Sequence, residues 1–337
     1  MKAIGFTKSL PIEEAHSFEL FEVDKPRAQG RDLLVKIAAI AMNPVDYKIR
    51  QSAAVDERLA DPKILGWDAC GTVEAVGESC SLFKAGDLVY YAGDLTRPGC
   101  NQEYQLVDER IVGFAPQNIP VDAAAAMPLT SLTAWELLFD RLQLTKEKDA
   151  GKKILIIGGA GGVGSMAIQI AKKLLGLEVI TTASREASIR WCEKMGADQV
   201  VNHRDLLNEM KKAGHDPVDY ILDLVDVNQY WKAMCDLIKP QGKIGSISDP
   251  AEPVQLRDLK AKSISFHWEL MYTRSMFQTA DMQSQHQILN KVAVLLDSGE
   301  LQSTLKQTLR GLTVANLKAA HQTSEAGTMI GKLAIEF

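Results

Sequence analysis

Residues 152–176 read KKILIIGGAGGVGSMAIQIAKKLLG, and this stretch decides the fold. It begins with the apolar run 154–157, which is too short for a buried helix and rich in β-branched residues. Such a run predicts a strand covered on both faces, as in parallel sheets. Glycines follow at positions 158, 159, 161, 162 and 164. Apolar residues then recur at helical spacing up to Gly176, which predicts a helix over 163–175.

A strand, a glycine turn and a helix in this order predict a cradle for a pyrophosphate. Glycines let the backbone approach the phosphates, and the helix N-terminus offers unpaired N–H groups at the positive end of its dipole. Gly159, Gly161 and Gly164 satisfy G-x-G-x-x-G, and the flanking strand and helix favour a dinucleotide site over a glycine-rich turn that binds nothing. The predicted cofactor contacts here are Gly159, Ala160, Gly161, Gly162, Val163 and Gly164.

The composition excludes several classes of protein. The 337 residues leave room for about two domains, and 46% hydrophobic with 24% charged residues is ordinary for a soluble globular chain. A net charge of −5 gives no electrostatic case for nucleic acid or an anionic membrane. The odd number of cysteines, five, contains no C-x-x-C pair, and no signal peptide is visible. We expect a cytoplasmic protein with a small-molecule substrate.

The part before residue 125 has short apolar runs separated by frequent glycines, which predicts a small barrel or sandwich. Within it, Asn43-Pro44-Val45-Asp46 is a turn signal. Two helices are predicted next, over 121–127 and 131–142.

From residue 152 onward strands and helices alternate, which predicts a parallel doubly wound sheet. The later segments are a sixth strand, an amphipathic helix and a terminal strand. The predicted strands are 154–157, 178–183, 199–201, 219–224, 243–247, 263–270 and 332–337, and the predicted helices are 163–175, 185–195, 228–239 and 283–296.

In order and spacing, a set of motifs along nearly the whole chain resembles the medium-chain dehydrogenase/reductase superfamily. It is most similar to the zinc-free quinone-oxidoreductase-like branch, and within it to the group labelled zinc-type alcohol dehydrogenase-like. The motifs are Asn43-Pro44-Val45-Asp46, Gly66, Gly71, Gly77, Gly86-Asp87, Glu103-Tyr104, Leu132-Thr133-Ala134, the 160–164 turn, Gly196-Ala197 and Gly242-Lys243.

The resemblance implies an α/β fold of two domains. A GroES-like β-rich catalytic domain would comprise residues 1–125 completed by 271–337, and a Rossmann domain would comprise 126–270. It further implies NADPH as the cofactor and a homodimer.

The resemblance also bears on the metal. Asn43 stands where zinc-dependent relatives place their first cysteine, and Trp67 replaces the imidazole of their Gly-His-Glu segment. No cysteine lies between 101 and 191, where their third ligand would fall, and only Cys100 occupies the region of the structural zinc. A catalytic zinc needs three protein ligands. We therefore expect no metal.

The end of the second Rossmann strand favours NADPH over NADH. NAD-binding folds place an acid there to hold the ribose 2′-OH. Here the strand runs into Ser184-Arg185, and these side chains can hydrogen-bond a 2′-phosphate. His203 is predicted to belong to the same site. The alternative is that Arg185 is a solvated residue in the first turn of a helix.

Zinc-free relatives imply hydride transfer to an enone or quinone, which needs orientation and modest polarisation of the carbonyl. Asn43 is predicted to donate to the substrate carbonyl or to the nicotinamide ribose. Thr133 matches a family threonine near the carboxamide, and Ser246, Ile247 and Ser248 match the loop along the nicotinamide.

Tyr47 and Trp67 complete the catalytic candidates. Tyr47 lies one position before the family tyrosine, so the role of that tyrosine does not transfer directly. Trp67 is predicted either to stack on a flat substrate or to be a core aromatic behind the site.

Three functions remain open. The first is an NADPH-dependent reductase of quinones or α,β-unsaturated carbonyls. The second is an NADPH-binding sensor without turnover. The third is an alcohol or carbonyl dehydrogenase, which without zinc would need another proton donor.

Overall fold

A computed structural model describes the whole chain, residues 1–337. The chain forms two compact units. The first unit comprises Met1–Leu132 with Tyr272–Phe337, and the second comprises Thr133–Met271. The sequence placed its boundaries at 125/126 and 270/271.

The N-terminal part of the first unit is rich in strands, as expected from its short apolar runs. Its strands are β1 (Lys2–Phe6), β2 (Glu19–Glu22), β3 (Asp32–Ala41), β4 (Lys63–Ile64), β5 (Asp68–Val76), β6 (Leu88–Tyr91), β7 (Tyr104–Asp108) and β8 (Val112–Phe114). Its helices are α1 (Pro44–Ser52) and α2 (Val121–Ala125). Helix α3 (Pro128–Trp135) begins in this unit, and its last three residues and the π-helical segment Glu136–Arg141 that continues it belong to the second unit.

The turn expected at 43–46 is instead the start of helix α1, and that expectation was wrong. Asn43 is the N-cap with an extended backbone, and Pro44 occupies the first helical position. The Asp46 carboxylate accepts a hydrogen bond of 2.7 Å from the backbone N–H of Asn43. Asn and Pro are common at helix starts as well as in turns, so the local signal was ambiguous.

The second unit alternates strands and helices. Its strands are β9 (Lys153–Ile157), β10 (Glu178–Thr182), β11 (Gln199–Val201), β12 (Val218–Asp223), β13 (Ile238–Ser246) and β14 (Ser265–Trp268). Its helices are α4 (Lys146–Asp149), α5 (Gly162–Gln169), α6 (Glu186–Met195), α7 (Leu206–Lys212) and α8 (Val227–Leu237), with π-helical residues Ile170–Leu174 after α5.

All six strands of the second unit are parallel, in the order β11-β10-β9-β12-β13-β14. The central strand β9 is fully buried over Ile154–Ile157, because helices cover both faces of such a sheet. Its apolar side chains join a core with strands β10 and β12 and helix α8. The predicted doubly wound parallel sheet is confirmed.

Three details of the second unit differ from the expectation. Strand β13 begins at Ile238, where the sequence predicted helix up to 239, and helices α4 and α7 were not predicted. The sequence after Ile238 is KPQG, and a proline and a glycine do not favour continuing a helix.

The C-terminal part of the chain returns to the first unit. It contains α9 (Thr273–Met276), α10 (Ser284–Asp297), β15 (Leu305–Arg310), α11 (Val314–Glu325) and β16 (Lys332–Glu336). Helix α11 was not predicted. Strand β16 pairs parallel with β15 and antiparallel with β3, so the last strand is built into the sheet formed by the N-terminal residues.

The first unit contains two sheets. One has three strands in the order β2-β1-β4, and the other has seven, in the order β15-β16-β3-β5-β6-β8 with β7 on β3. No helix of the chain combines the length and the apolar character that crossing a membrane requires.

Candidate active site

The glycine turn after β9 is held by the neighbouring strand. The backbone N–H of Gly158 donates to the Thr182 hydroxyl over 2.9 Å. A Cβ atom on Gly159 would lie 2.0 Å from the Thr181 Oγ1, and one on Gly164 would lie 2.2 Å from the Gly158 carbonyl oxygen. These two glycines are therefore required by close packing between the turn, strand β10 and the start of α5.

Gly161 has a different environment. A Cβ atom there would meet nothing closer than the Gly158 carbonyl oxygen at 3.7 Å, so the space beside Gly161 is open. Residues 160–163 are only half-buried, and Gly161 caps helix α5. The first N–H groups of a helix have no partners within it. This combination of open space and free donors fits a dinucleotide pyrophosphate.

The predicted 2′-phosphate residues lie at the carboxyl ends of β10 and β11. Ser184 Oγ is 3.1 Å from His203 Nε2, and the Tyr230 hydroxyl is 3.5 Å from His203 Nδ1. Arg185 is exposed and caps helix α6. The structure thus brings Ser184 and His203 together, and no carboxylate follows β10 before Glu186.

The hydroxyls of the 246–248 loop are engaged within the protein. Ser246 and Ser248 donate to Asp223 Oδ2 over 2.7 and 2.6 Å, and Asp223 is fully buried at the end of β12. This leaves the backbone and Ile247, which is half-buried, for the predicted cofactor contact. The role of Asp223 was missed by the sequence reasoning, although a lone acid after the strand sequence VDYIL could have signalled it.

Thr133 lies on α3 and is 5% exposed. Its predicted place beside the nicotinamide remains a prediction.

In the first unit, the catalytic candidate Asn43 is part of a buried polar cluster. Its Nδ2 donates to Asp68 Oδ2 over 2.8 Å, and its Oδ1 accepts from the Lys332 ammonium. The other oxygen of Asp68 accepts from the Leu129 backbone N–H over 2.7 Å. A contact of 3.5 Å to the Ala41 carbonyl oxygen, long for a hydrogen bond, accounts for the remaining amide hydrogen of Asn43.

Asp46 adds a second buried carboxyl to this cluster. Burial raises the pKa of Asp46 to about 7, against the lowering effects of the Asn43 N–H and the Lys332 ammonium, and the charge of Asp68 raises it further. Asp46 Oδ1 has no hydrogen-bond partner in the protein. The carboxyl is therefore poised to gain or lose a proton near neutral pH.

Trp67 and Tyr272 pack beside the cluster. Trp67 is 1% exposed, and its indole N–H donates to the Asp94 carbonyl over 3.0 Å. Its ring meets that of Tyr272 edge-on, with centroids 6.5 Å apart. This geometry favours the core interpretation of Trp67 over stacking on a substrate. Tyr47 is half-buried on α1.

The residues at the expected metal positions do not fit zinc. Asn43 and Trp67 offer neither a thiolate nor an imidazole, and the Lys332 ammonium lies 3.0 Å from the Asp68 carboxylate. Nowhere in residues 1–337 do three His, Cys, Asp or Glu side chains come close enough together to hold a metal ion. A divalent cation at Asp68 would be repelled by the ammonium already there.

Lys332 was missed by the sequence reasoning, which treated residues 332–337 only as a terminal strand. A signal was present, because the lysine stands directly before the apolar run LAI in the predicted terminal strand. A buried lysine needs a partner.

The folds of the two units and the dinucleotide cradle together define a class of protein, the two-domain dinucleotide-dependent oxidoreductases. Two family models match the chain. The model for the alcohol dehydrogenase GroES-like domain matches residues 29–130, and the model for zinc-binding dehydrogenase matches residues 162–286.

Individual relatives agree with these matches. The zinc-type alcohol dehydrogenase-like protein SAS2087 of Staphylococcus aureus (strain MSSA476) is 46% identical over 338 residues, covering 99% of each chain. The chloroplastic NADPH-dependent alkenal/one oxidoreductase of Arabidopsis thaliana is 32% identical over 244 residues, covering 69% of this chain and 59% of that protein. The structure of the quinone oxidoreductase from Coxiella burnetii has a TM-score of 0.83 at 26% identity, covering 100% and 99% of the two chains.

The chain belongs to the medium-chain dehydrogenase/reductase superfamily, in its quinone-oxidoreductase-like branch. It is an oxidoreductase of that family.

Proposed function

We propose that this protein is an NADPH-dependent reductase of quinones or α,β-unsaturated carbonyl compounds that works without a metal. The observation that carries the proposal is the buried centre in the first unit. Asn43, which stands at the position of the first cysteine ligand in the zinc-dependent relatives that the sequence resembles, lies together with a carboxylate (Asp68) and an ammonium (Lys332). A substrate of this site must therefore accept hydride without a Lewis acid.

Conjugated carbonyl compounds and quinones meet this requirement. When bound, NADPH supplies the hydride, which adds to the β-carbon of an enone, and a proton at the α-carbon completes the product. The negative charge that develops on the carbonyl oxygen can be held by a hydrogen-bond donor. We propose Asn43 for this role, through the amide hydrogen that meets the Ala41 carbonyl oxygen only at 3.5 Å. Asn43 is 1% exposed, so the proposal requires that substrate binding uncover this hydrogen.

The choice of NADPH is supported by the carboxyl ends of β10 and β11. Ser184, Arg185 and His203 can donate hydrogen bonds to a 2′-phosphate, and no acid is placed there to repel it. The open space beside Gly161 supports the pyrophosphate contact. The name of one similar protein, the NADPH-dependent alkenal/one oxidoreductase, supports both the cofactor and the substrate class, and the name of another, a quinone oxidoreductase, supports the substrate class alone.

The test is NADPH oxidation, followed by absorbance, against a panel of quinones, enones, saturated ketones and simple alcohols. We expect turnover with at least one quinone or enone, and little or none with saturated ketones. A Gly161→Val variant is the control, because its side chain would enter the open space beside the glycine turn and should weaken NADPH binding. Faster oxidation of 2-propanol than reduction of any enone or quinone would overturn the proposal and favour the alcohol dehydrogenase. NADPH binding with no turnover on the whole panel would favour the sensor.

We also propose a homodimer, as the family resemblance implies, and a cytoplasmic location, which the five free cysteines support. Strand β14 is an edge strand of the second-unit sheet, and it exposes Trp268 at 46%, followed by Leu270 at 50%. An exposed edge strand with apolar side chains is a ready surface for a second copy. Light scattering of the wild type and of Trp268→Glu tests this, with a monomeric wild type contradicting it.

A further inference from the structure

Three strand ends of the first unit meet where Lys332 lies. Strands β16 and β3 are antiparallel, with Ala334 opposite Ala41, so the register brings the start of β16 to the residues that follow β3. The hydrogen bond of 2.9 Å from the Met42 N–H to the Leu333 carbonyl continues this pairing. Strand β5 lies on the other side of β3 and begins with Asp68, opposite Ala41. The sheet therefore fixes the positions of residues 43, 68 and 332.

All three donors of the Lys332 ammonium have acceptors. Its Nζ donates to the Met42 carbonyl oxygen, to Asn43 Oδ1 and, over 3.0 Å, to Asp68 Oδ2. An ammonium has three N–H donors and no acceptor, so this set uses its full capacity. The side chain is 2% exposed. Such a site is built to hold a cation.

The cluster needs that cation. Asp68 and Asp46 are both fully buried, and a buried carboxylate without a partner is costly. The Lys332 ammonium is the one positive group within hydrogen-bond distance of Asp68. Its charge also lowers the pKa of Asp46, against the larger rise that burial causes.

The same ammonium determines how the Asn43 amide is turned. An ammonium can only donate, so it requires Oδ1 of Asn43 on its side, and a carboxylate can only accept, so Asp68 requires Nδ2 on the other. If the Asn43 amide were flipped, its Nδ2 would face the Lys332 ammonium, which is also a donor, and its Oδ1 would face the Asp68 carboxylate, which is also an acceptor. The pair Lys332 and Asp68 thus leaves one orientation of Asn43.

We propose that Lys332 is the resident cation of this centre, in the place that a metal holds in zinc-dependent relatives, and that it is a positioning residue for the Asn43 amide. The first half of the proposal, that Lys332 is the resident cation, concerns the chain alone and can be tested without turnover. The second half, that Lys332 positions the Asn43 amide for catalysis, rests on the proposed reductase function.

The experiment compares the full-length wild type with Lys332→Met and with the double variant Lys332→Met/Asp68→Asn. Methionine has a similar shape without the charge, and the double variant removes both charges. In the double variant, the amide introduced at position 68 can donate to Asn43 Oδ1. The Asn43 side-chain amide can then adopt either of its two orientations. Lys212→Met is the matched control, because Lys212 pairs with Glu209 at 2.9 Å on the surface, where the two side chains are 73% and 34% exposed, and such pairs contribute little.

The melting temperature tests the resident cation. We expect Lys332→Met to lower it by about 10 °C, because one partner of a buried pair is left alone. The double variant should recover most of this loss, and Lys212→Met should change the melting temperature little. An unchanged melting temperature in Lys332→Met would overturn the first half of the proposal. If Lys332→Met fails to fold, a folded double variant supports it equally.

Steady-state kinetics with NADPH and an enone or quinone test the positioning role. We expect kcat of the double variant to stay about 10- to 100-fold below wild type although its stability is recovered, since misplaced groups lose this much. Its KM for NADPH should stay within about twofold. A double variant with wild-type kcat would show that Lys332 only balances charge. If the wild type reduces no enone or quinone, the proposed function fails, while the melting temperatures still decide whether Lys332 is the resident cation.

Discussion

The Nζ of Lys332 lies 3.0 Å from Oδ2 of Asp68, and both side chains are almost completely buried. One belongs to the last strand of the chain and the other begins β5. Between them lies Asn43, bonded to both. Asn43 stands where the sequence resemblance places the first cysteine ligand of zinc-dependent relatives. Four properties of this cluster and of the cofactor site can be measured.

We expect the purified protein to carry no stoichiometric zinc and to keep its fold and activity in a strong chelator. The residues at the ligand positions, Asn43 and Trp67, bind zinc poorly, and the ammonium at Asp68 opposes a second cation. Elemental analysis of the dialysed protein checks this. One zinc per chain, or loss of activity on chelation that added zinc restores, would contradict it.

Cofactor preference should depend on Arg185. A hydrogen bond to a charged group is worth about 1.5–3 kcal/mol, so Arg185→Ala should weaken NADPH binding about tenfold or more, while NADH binding should hardly change. Binding titrations with both cofactors measure this. Lys212→Ala, which removes an exposed cation paired with Glu209, is the control and should affect neither cofactor. Equal losses for both cofactors would mean that Arg185 supports the fold rather than the phosphate.

Removing the Asn43 amide should reduce turnover much more than cofactor binding. Losing one donor to a developing oxyanion typically costs on the order of 10²–10³ in rate. We therefore expect Asn43→Ala to lower kcat with an enone or quinone by that order and to leave NADPH affinity within a few fold. Full turnover in this variant would show that Asn43 has only a structural role, as the N-cap of α1 and as a hydrogen-bond partner of Asp68 and Lys332.

Asp46 should make stability depend on pH in a defined direction. Its pKa is raised from 3.8 to about 7 in the folded chain, so the folded state binds the proton more tightly than the unfolded state. The resulting stabilisation is complete below about pH 4 and is lost as the pH rises to about 7.

Asp46→Asn removes this dependence, because the amide oxygen can still accept from the Asn43 N–H and carries no charge. The unfolding free energy of the variant minus that of the wild type should increase by roughly 2–3 kcal/mol as the pH rises from 5 to 8. Denaturant unfolding at both values checks this, with the exposed Asp56→Asn as the control. A difference between variant and wild type that stays constant from pH 5 to pH 8 would mean that Asp46 is ionised across this range and would contradict the prediction.

The sequence by itself determined the second unit. In residues 152–176 the strand, the glycine turn and the helix form through contacts between near neighbours in the chain, so composition and periodicity were enough to predict them. The alternation that follows then predicted the parallel sheet. The missed elements had weaker local signals: α7 and α11 were not predicted, and Asn43-Pro44 fits both a turn and a helix start.

Only the tertiary structure decided what surrounds Asn43. Lys332 is 289 positions away in the chain, and it reaches Asn43 because β16 pairs with β3 in one register out of many that the sequence allows. The burial of Trp67 against Tyr272, and the binding of the Ser246 and Ser248 hydroxyls by Asp223, depend in the same way on packing between distant segments. Local sequence fixes the backbone of a strand or a turn, but the partner of a buried polar group is fixed by strand order and register.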